Sequence, residues 1–121
     1  MQKEGADSMN YTMLTDFYEL TMANGYLKEG MGEKIAYFDM YFRQAPDGAG
    51  FAIMAGVEQL IAYFENLKFT AEDIDYLRNK GIFDEAFLNY LKNFRFSCDV
   101  WAVPEGTPIF PNEPIVTVRG P

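Results

Sequence analysis

The sequence predicts an α+β fold. Three observations carry this expectation. Apolar residues recur at helical spacing through residues 57–91, strand-forming residues dominate residues 98–120, and the two kinds of segment are segregated rather than alternating. A chain of 121 residues has the length of one ordinary domain. Its hydrophobic share of 49%, with 17% aromatics, is enough for a buried core.

The elements follow in chain order. A first helix is expected over residues 16–28, with Asp16 as N-cap and Glu19, three residues on, completing the pattern of a capping box. Leu20, Ala23 and Leu27 recur on one face, and Gly30 and Gly32 end the helix. Residues 34–43, KIAYFDMYFR, read as a strand in which Ala36, Phe38, Met40 and Phe42 alternate with Ile35, Tyr37, Asp39 and Tyr41. Apolar residues on both sets predict two largely covered faces. QAPDGAG, residues 44–50, is a turn by composition, and FAIMAG, from Phe51, a short strand.

Val57, Leu60, Ile61 and Phe64 give the apolar stripe of a second helix over residues 57–66. Thr70 with Asp73 forms a capping box for a third, whose Ile74 and Leu77 face inward and which Gly81 stops. Asp84 caps a fourth, with Phe87, Leu88 and Leu91 as its apolar face. The chain then turns to strands: CDVWAV from Cys98, TPIF, and PIVTVRG. Pro111-Asn112-Glu113-Pro114 connects the last two, and its prolines favour a turn or a sheet edge. Residues 103–121 thus read as a pair of strands with proline-stiffened turns. A sequence that stops on a strand, with no closing element, predicts an unprotected strand edge and a piece of a longer protein.

Composition excludes several functions. The formal net charge is -8, with 18 acidic against 10 basic residues, and no basic stripe exists to bind nucleic acid or an anionic membrane. A small anion can still be held by one arginine and backbone amides. One cysteine, Cys98, cannot form an internal disulfide, which fits a reducing cytoplasm. With no histidine and one thiol, a structural zinc site and histidine-based acid–base chemistry are excluded within these residues. No apolar run approaches the ~20 residues needed to span a bilayer. Residues 1–9 read as a flexible leader without the apolar core of a signal peptide, and residues 10–121 as the domain.

Three segments are candidates for function. In LTDFYELTM, residues 14–22, capping accounts for Asp16 and Glu19 but not for Thr15, Tyr18 and Thr21 gathered at the same helix start. Tyr18 there is either a packed tyrosine or a flat surface on which a planar ligand stacks, beside free backbone N–H groups. Arg43 is either a solvated strand end or a guanidinium forked onto a phosphate, with Gly48 and Gly50 letting backbone amides approach. The turn is not a P-loop, because the GK[ST] ending is missing. The 111–114 tip lacks the lysine that a biotinyl or lipoyl carrier needs, and Cys98 reads as a buried strand residue with no base to activate it.

Taken together, LTDFYELTMANGYL, YFDMYFRQAPDGAGFAIMAGVEQLIAYFENLKF, IDYLRNKGIF, FLNYLKNFRF and DVWAVPEGTPIFPNEPIVTVRGP resemble the N-terminal part of nicotinate phosphoribosyltransferase. The resemblance covers about residues 10 to 121, and its TDxYxLTM and PEGTPIFPNEP runs are specific. It departs at Ala49, where the family often has glycine. It implies the N-terminal α/β sandwich domain of a type II phosphoribosyltransferase, with the barrel domain absent from this chain. It implies an enzyme that forms nicotinate mononucleotide from nicotinate and phosphoribosyl pyrophosphate, coupled to ATP hydrolysis with Mg2+, in cytoplasmic NAD salvage, and built as a homodimer. By matching motifs, Tyr18 stacks on the pyridine ring, Asp16 supports that site and Arg43 contacts phosphate. No catalytic residue is expected in this chain, since the ATP coupling runs through a histidine in the barrel, so the 121 residues alone are expected to be inactive. The alternatives are a related enzyme acting on nicotinamide or quinolinate, and a non-catalytic α+β binding or assembly module.

Overall fold

The structure, a computed structural model, describes residues 10–121; the leader expected over residues 1–9 lies outside the described residues. In chain order the elements are α1 (Phe17–Lys28), β1 (Ala36–Met40), β2 (Ala52–Ile53), α2 (Val57–Asn66), α3 (Ala71–Asn79), α4 (Glu85–Asn93), β3 (Asp99–Ala102), β4 (Pro108–Ile109) and β5 (Val116–Gly120). They fall into two compact units, one of residues up to Gly32 with Tyr63–Phe96, the other of Glu33–Ala62 with Ser97–Pro121. The α+β class holds, and all strand pairs are antiparallel.

The first unit is helical. Its core is Leu20 from α1, Ile74 and Leu77 from α3, and Phe87, Leu88 and Leu91 from α4, with Met13, Ala23, Leu27, Phe69 and Phe83 packed around them. These are the residues whose spacing marks one face of each helix. Thr70 closes its capping box: its hydroxyl accepts from Asp73 N–H at 3.2 Å and the Asp73 carboxylate accepts from Thr70 N–H at 2.7 Å. Gly81, at φ 69, ends the turn after α3 in the left-handed region that glycine adopts without strain.

Asp84 is the N-cap residue of α4, but its side chain makes no cap bond. Its N–H donates to Asn24 Oδ1 at 3.1 Å and its carboxylate faces Lys28 Nζ at 3.7 Å, so it ties α4 to α1 instead. Buried Thr12 accepts from Lys68 N–H at 2.9 Å, which fastens the segment before α1 to the one before α3.

The second unit is a three-stranded sheet in the order β1-β5-β3 and a two-stranded sheet of β2 and β4. β5 is therefore a central strand, with Val118 opposite both Phe38 and Val100, and not the unprotected edge its place in the sequence suggests. β4 and β5 do not pair with each other either; β4 pairs with β2 and β5 with β1 and β3. Local reading could not see this, because both pairings are set by residues far away in sequence. The strand expected over residues 34–43 shrinks to the five residues of β1, and all five are exposed. The two covered faces expected of it are absent among the described residues: β1 is an edge strand, and the core of this unit, Met54, Ile109 and Val116, lies at its Met40 end.

Cys98 also departs from expectation. It is half-buried and precedes β3 rather than lying within it. A Cβ on Gly120 would come within 2.3 Å of its sulfur, so the close approach of these two residues requires the glycine.

α2 begins without a local cap. Glu105, from the β3–β4 connection, supplies one: its two carboxylate oxygens accept from Gly56 N–H and Val57 N–H, each at 2.9 Å. A carboxylate there also suits the positive end of the helix. Met54 N–H to Thr107 C=O and Gly106 N–H to Met54 C=O, both 2.8 Å, fix the same loop.

Candidate functional site

At the start of α1, Asp16 is the N-cap residue, with extended backbone at φ -71 and ψ 141. Its side chain makes no cap hydrogen bond, so the capping box expected of Asp16 and Glu19 is not closed. The bond between them is main-chain only, from Glu19 N–H to Asp16 C=O at 3.1 Å. Both carboxylates are thus left out of the helix's own capping. The contrast with Thr70 and Asp73 is one of rotamer and surroundings, which the four-residue pattern does not encode.

Tyr18 projects outward, 57% exposed. Its neighbour Phe17 meets Phe83 edge-on, with ring centroids 5.8 Å apart. That contact anchors the helix start while Tyr18 remains free of the core. The charge of Glu19, its hydrogen bond to the phenol and then the charge of Asp16 hold the Tyr18 phenol above its ordinary pKa. Its phenol is thus a neutral group on a flat ring beside two carboxylates, as a tyrosine is at neutral pH. Thr21, grouped with these residues in the sequence, spends its hydroxyl on Tyr18 C=O at 3.0 Å, an ordinary bond within a helix. Thr15 is exposed.

The structure thus brings Asp16, Tyr18 and Glu19 together at one helix start in the helical unit. Arg43 belongs to the sheet unit, three residues beyond the end of β1. It is exposed, and among the described residues its guanidinium has no hydrogen-bond or ion-pair partner. Arg78 and Arg119, in contrast, are held by Asp75 with Glu85 and by Asp99 with Tyr37. The turn after Arg43 forms a single 3-10 turn, Pro46–Gly48, with Asp47 at φ 56 and Gly48 at φ 70. The Gly48 backbone is thus demanded by the turn itself, whereas Gly50 has ordinary φ and open space where a side chain would stand. Among the described residues no group of three or more His, Cys, Asp or Glu is placed to hold a metal ion.

The sequence profile described as nicotinate phosphoribosyltransferase (NAPRTase) N-terminal domain matches residues 13–121. A nicotinate phosphoribosyltransferase of Mycobacterium tuberculosis is 43% identical over 109 residues, covering 90% of this chain and 23% of that protein. One from Bacillus subtilis is 37% identical over 121 residues, covering 100% of this chain and 25% of that protein. The crystal structure of human nicotinic acid phosphoribosyltransferase superposes with a TM-score of 0.79 at 34% identity, over 88% of this chain and 22% of that chain. Nicotinate-nucleotide pyrophosphorylase from Pyrococcus furiosus shares the fold, with a TM-score of 0.57 at 19% identity. The chain spans 23% and 25% of the two bacterial relatives it matches. With nine-tenths of its length under one family profile, and with its order of helices and strands in that fold, the chain belongs to the nicotinate phosphoribosyltransferase family, as its N-terminal domain.

Proposed function

We propose that this chain is the N-terminal part of an enzyme that transfers the phosphoribosyl group of phosphoribosyl pyrophosphate to the ring nitrogen of nicotinate, releasing pyrophosphate and forming nicotinate mononucleotide, with ATP hydrolysis, in cytoplasmic NAD salvage. The observation that carries the reading is the family match over residues 13–121. Two features of the chain's own residues support it. Tyr18 offers an exposed, neutral aromatic face, and Arg43 offers an unpaired guanidinium in a chain of net charge -8.

In this reading Tyr18 stacks on the pyridine ring, a contact worth about 0.5–1.5 kcal/mol beyond burial. Asp16 supports that site. Its negative charge, with that of Glu19, favours the positive charge that develops as the ring nitrogen meets an oxocarbenium-like sugar carbon. Arg43 forks onto a phosphate of the sugar donor. Transfer of this kind depends on positioning and electrostatics, and neither role needs a histidine. In this reading the Mg2+ and ATP are held by the barrel; among the described residues no cluster of three or more metal ligands is formed. The working enzyme is a homodimer.

The test is turnover. The full-length gene product is expected to convert nicotinate to its mononucleotide, and the 121-residue chain alone is expected to convert none. Turnover by the short chain, or a full-length enzyme that uses only nicotinamide or quinolinate, would overturn the reading.

A further inference from the structure

The turn Pro111-Asn112-Glu113-Pro114 has no part in the reading above, yet it fastens the main chain next to Arg43. β1 ends at Met40, but its pairing does not. Two main-chain bonds carry the ladder onward: Ile115 N–H donates to Met40 C=O, and Asn112 N–H donates to Phe42 C=O, each at 2.8 Å. The second bond holds the residue that precedes Arg43. Asn112 makes it from a left-handed backbone at φ 64, a conformation that asparagine tolerates and β-branched residues do not. Prolines on both sides of the Asn112-Glu113 pair narrow the turn's alternatives. Phe42 is held by its side chain too, packed against Met54, Ile109 and Val116. Thus the main chain at Arg43 is fixed while its guanidinium is uncommitted.

We propose that Asn112 is a positioning residue: its left-handed turn holds the Phe42–Arg43 main chain so that the guanidinium is presented, already placed, to a phosphate of the sugar-donor substrate. The inference rests on the phosphate role of Arg43. Fixing the backbone in advance spares the ordering cost at the moment of binding, so its loss appears in the affinity for that substrate.

The experiment is steady-state kinetics of the full-length enzyme with melting temperatures, for Asn112→Val, Asn112→Gly, Arg43→Ala and the double variant Asn112→Val with Arg43→Ala. Asn112→Val is expected to raise KM for phosphoribosyl pyrophosphate severalfold while leaving kcat and the KM for nicotinate nearly unchanged. Asn112→Gly, which takes positive φ freely, is expected to restore it. Arg43→Ala is expected to raise the same KM, and Asn112→Val is expected to add nothing on that background. Additive effects, failure of glycine to restore, or a lowered melting temperature with KM unchanged would overturn the proposal. If Asn112→Val does not fold, Asn112→Ala replaces it. If Arg43→Ala itself leaves that KM unchanged, the phosphate role of Arg43 is what fails, and the proposal falls with it.

Discussion

In the helical unit Leu77 has 0% of its surface exposed, Leu88 1% and Phe87 2%; in the sheet unit Phe38 keeps 71%, Tyr37 66% and Trp101 55%. Both units draw on the same apolar and aromatic residues, so composition does not separate them. Geometry does. A helix satisfies its backbone internally and needs cover on one stripe only, so three helices suffice to close a core. A sheet three strands wide has two edges and two faces, and few of its side chains can meet each other. The helical unit accordingly closes the larger buried cluster, six residues against three, and the sheet unit leaves more of its large side chains exposed.

The largest expected effect tests that contrast directly. Leu77→Ala should destabilise by about 2–5 kcal/mol, because it empties a fully buried site. Phe38→Ala, at an exposed strand position, should stay within about 0.5 kcal/mol. Chemical denaturation of the two variants checks this, and equal losses would erase the distinction. Next, Gly120→Ala should cost about 1–3 kcal/mol by forcing a methyl against Cys98. Cys98→Ala on that background should recover part of the loss, since the Cys98 Cβ remains within 2.9 Å. No loss on Gly120→Ala would mean that β5 and the segment before β3 separate easily.

The smallest effect compares two look-alike helix starts. Thr70→Ala should cost about 1 kcal/mol, the usual worth of a closed cap. Asp16→Ala should cost close to nothing, having no cap bond to lose, yet lower nicotinate turnover in the full-length enzyme. A thermal melt of each variant, set beside an assay of the second, separates stability from function. An Asp16→Ala variant as unstable as Thr70→Ala would return Asp16 to plain capping.

Helices were legible because their evidence is local. Val57, Leu60, Ile74, Leu77, Phe87, Leu88 and Leu91 announce their faces within one or two turns, and α2 runs over the residues its spacing predicts. Thr70 and Asp73 likewise announce a box that closes. Sheet partners were not legible. Nothing near residue 118 says that Val118 lies between Phe38 and Val100, nor that Glu105 caps a helix 48 residues before it. At the candidate site, the company of Asp16, Tyr18 and Glu19 could be anticipated from one helix turn, but the exposure of Tyr18 could not, because local spacing left a packed ring equally open. The freedom of the Arg43 guanidinium could not, because it depends on which acceptors the fold brings near each arginine.

The central place of β5 has a consequence for how this chain comes into being. Ala36 finds its partner in Gly120, so β1 emerges from the ribosome long before the strand that pairs with it. Every residue that Leu20 meets in the helical core has been made by Leu91, but β1 and β3 have no shared neighbour until β5 is translated. During that interval Tyr37, Phe38 and Met40 form a short apolar segment without its partner strand, the kind of stretch that draws chaperones or other nascent chains.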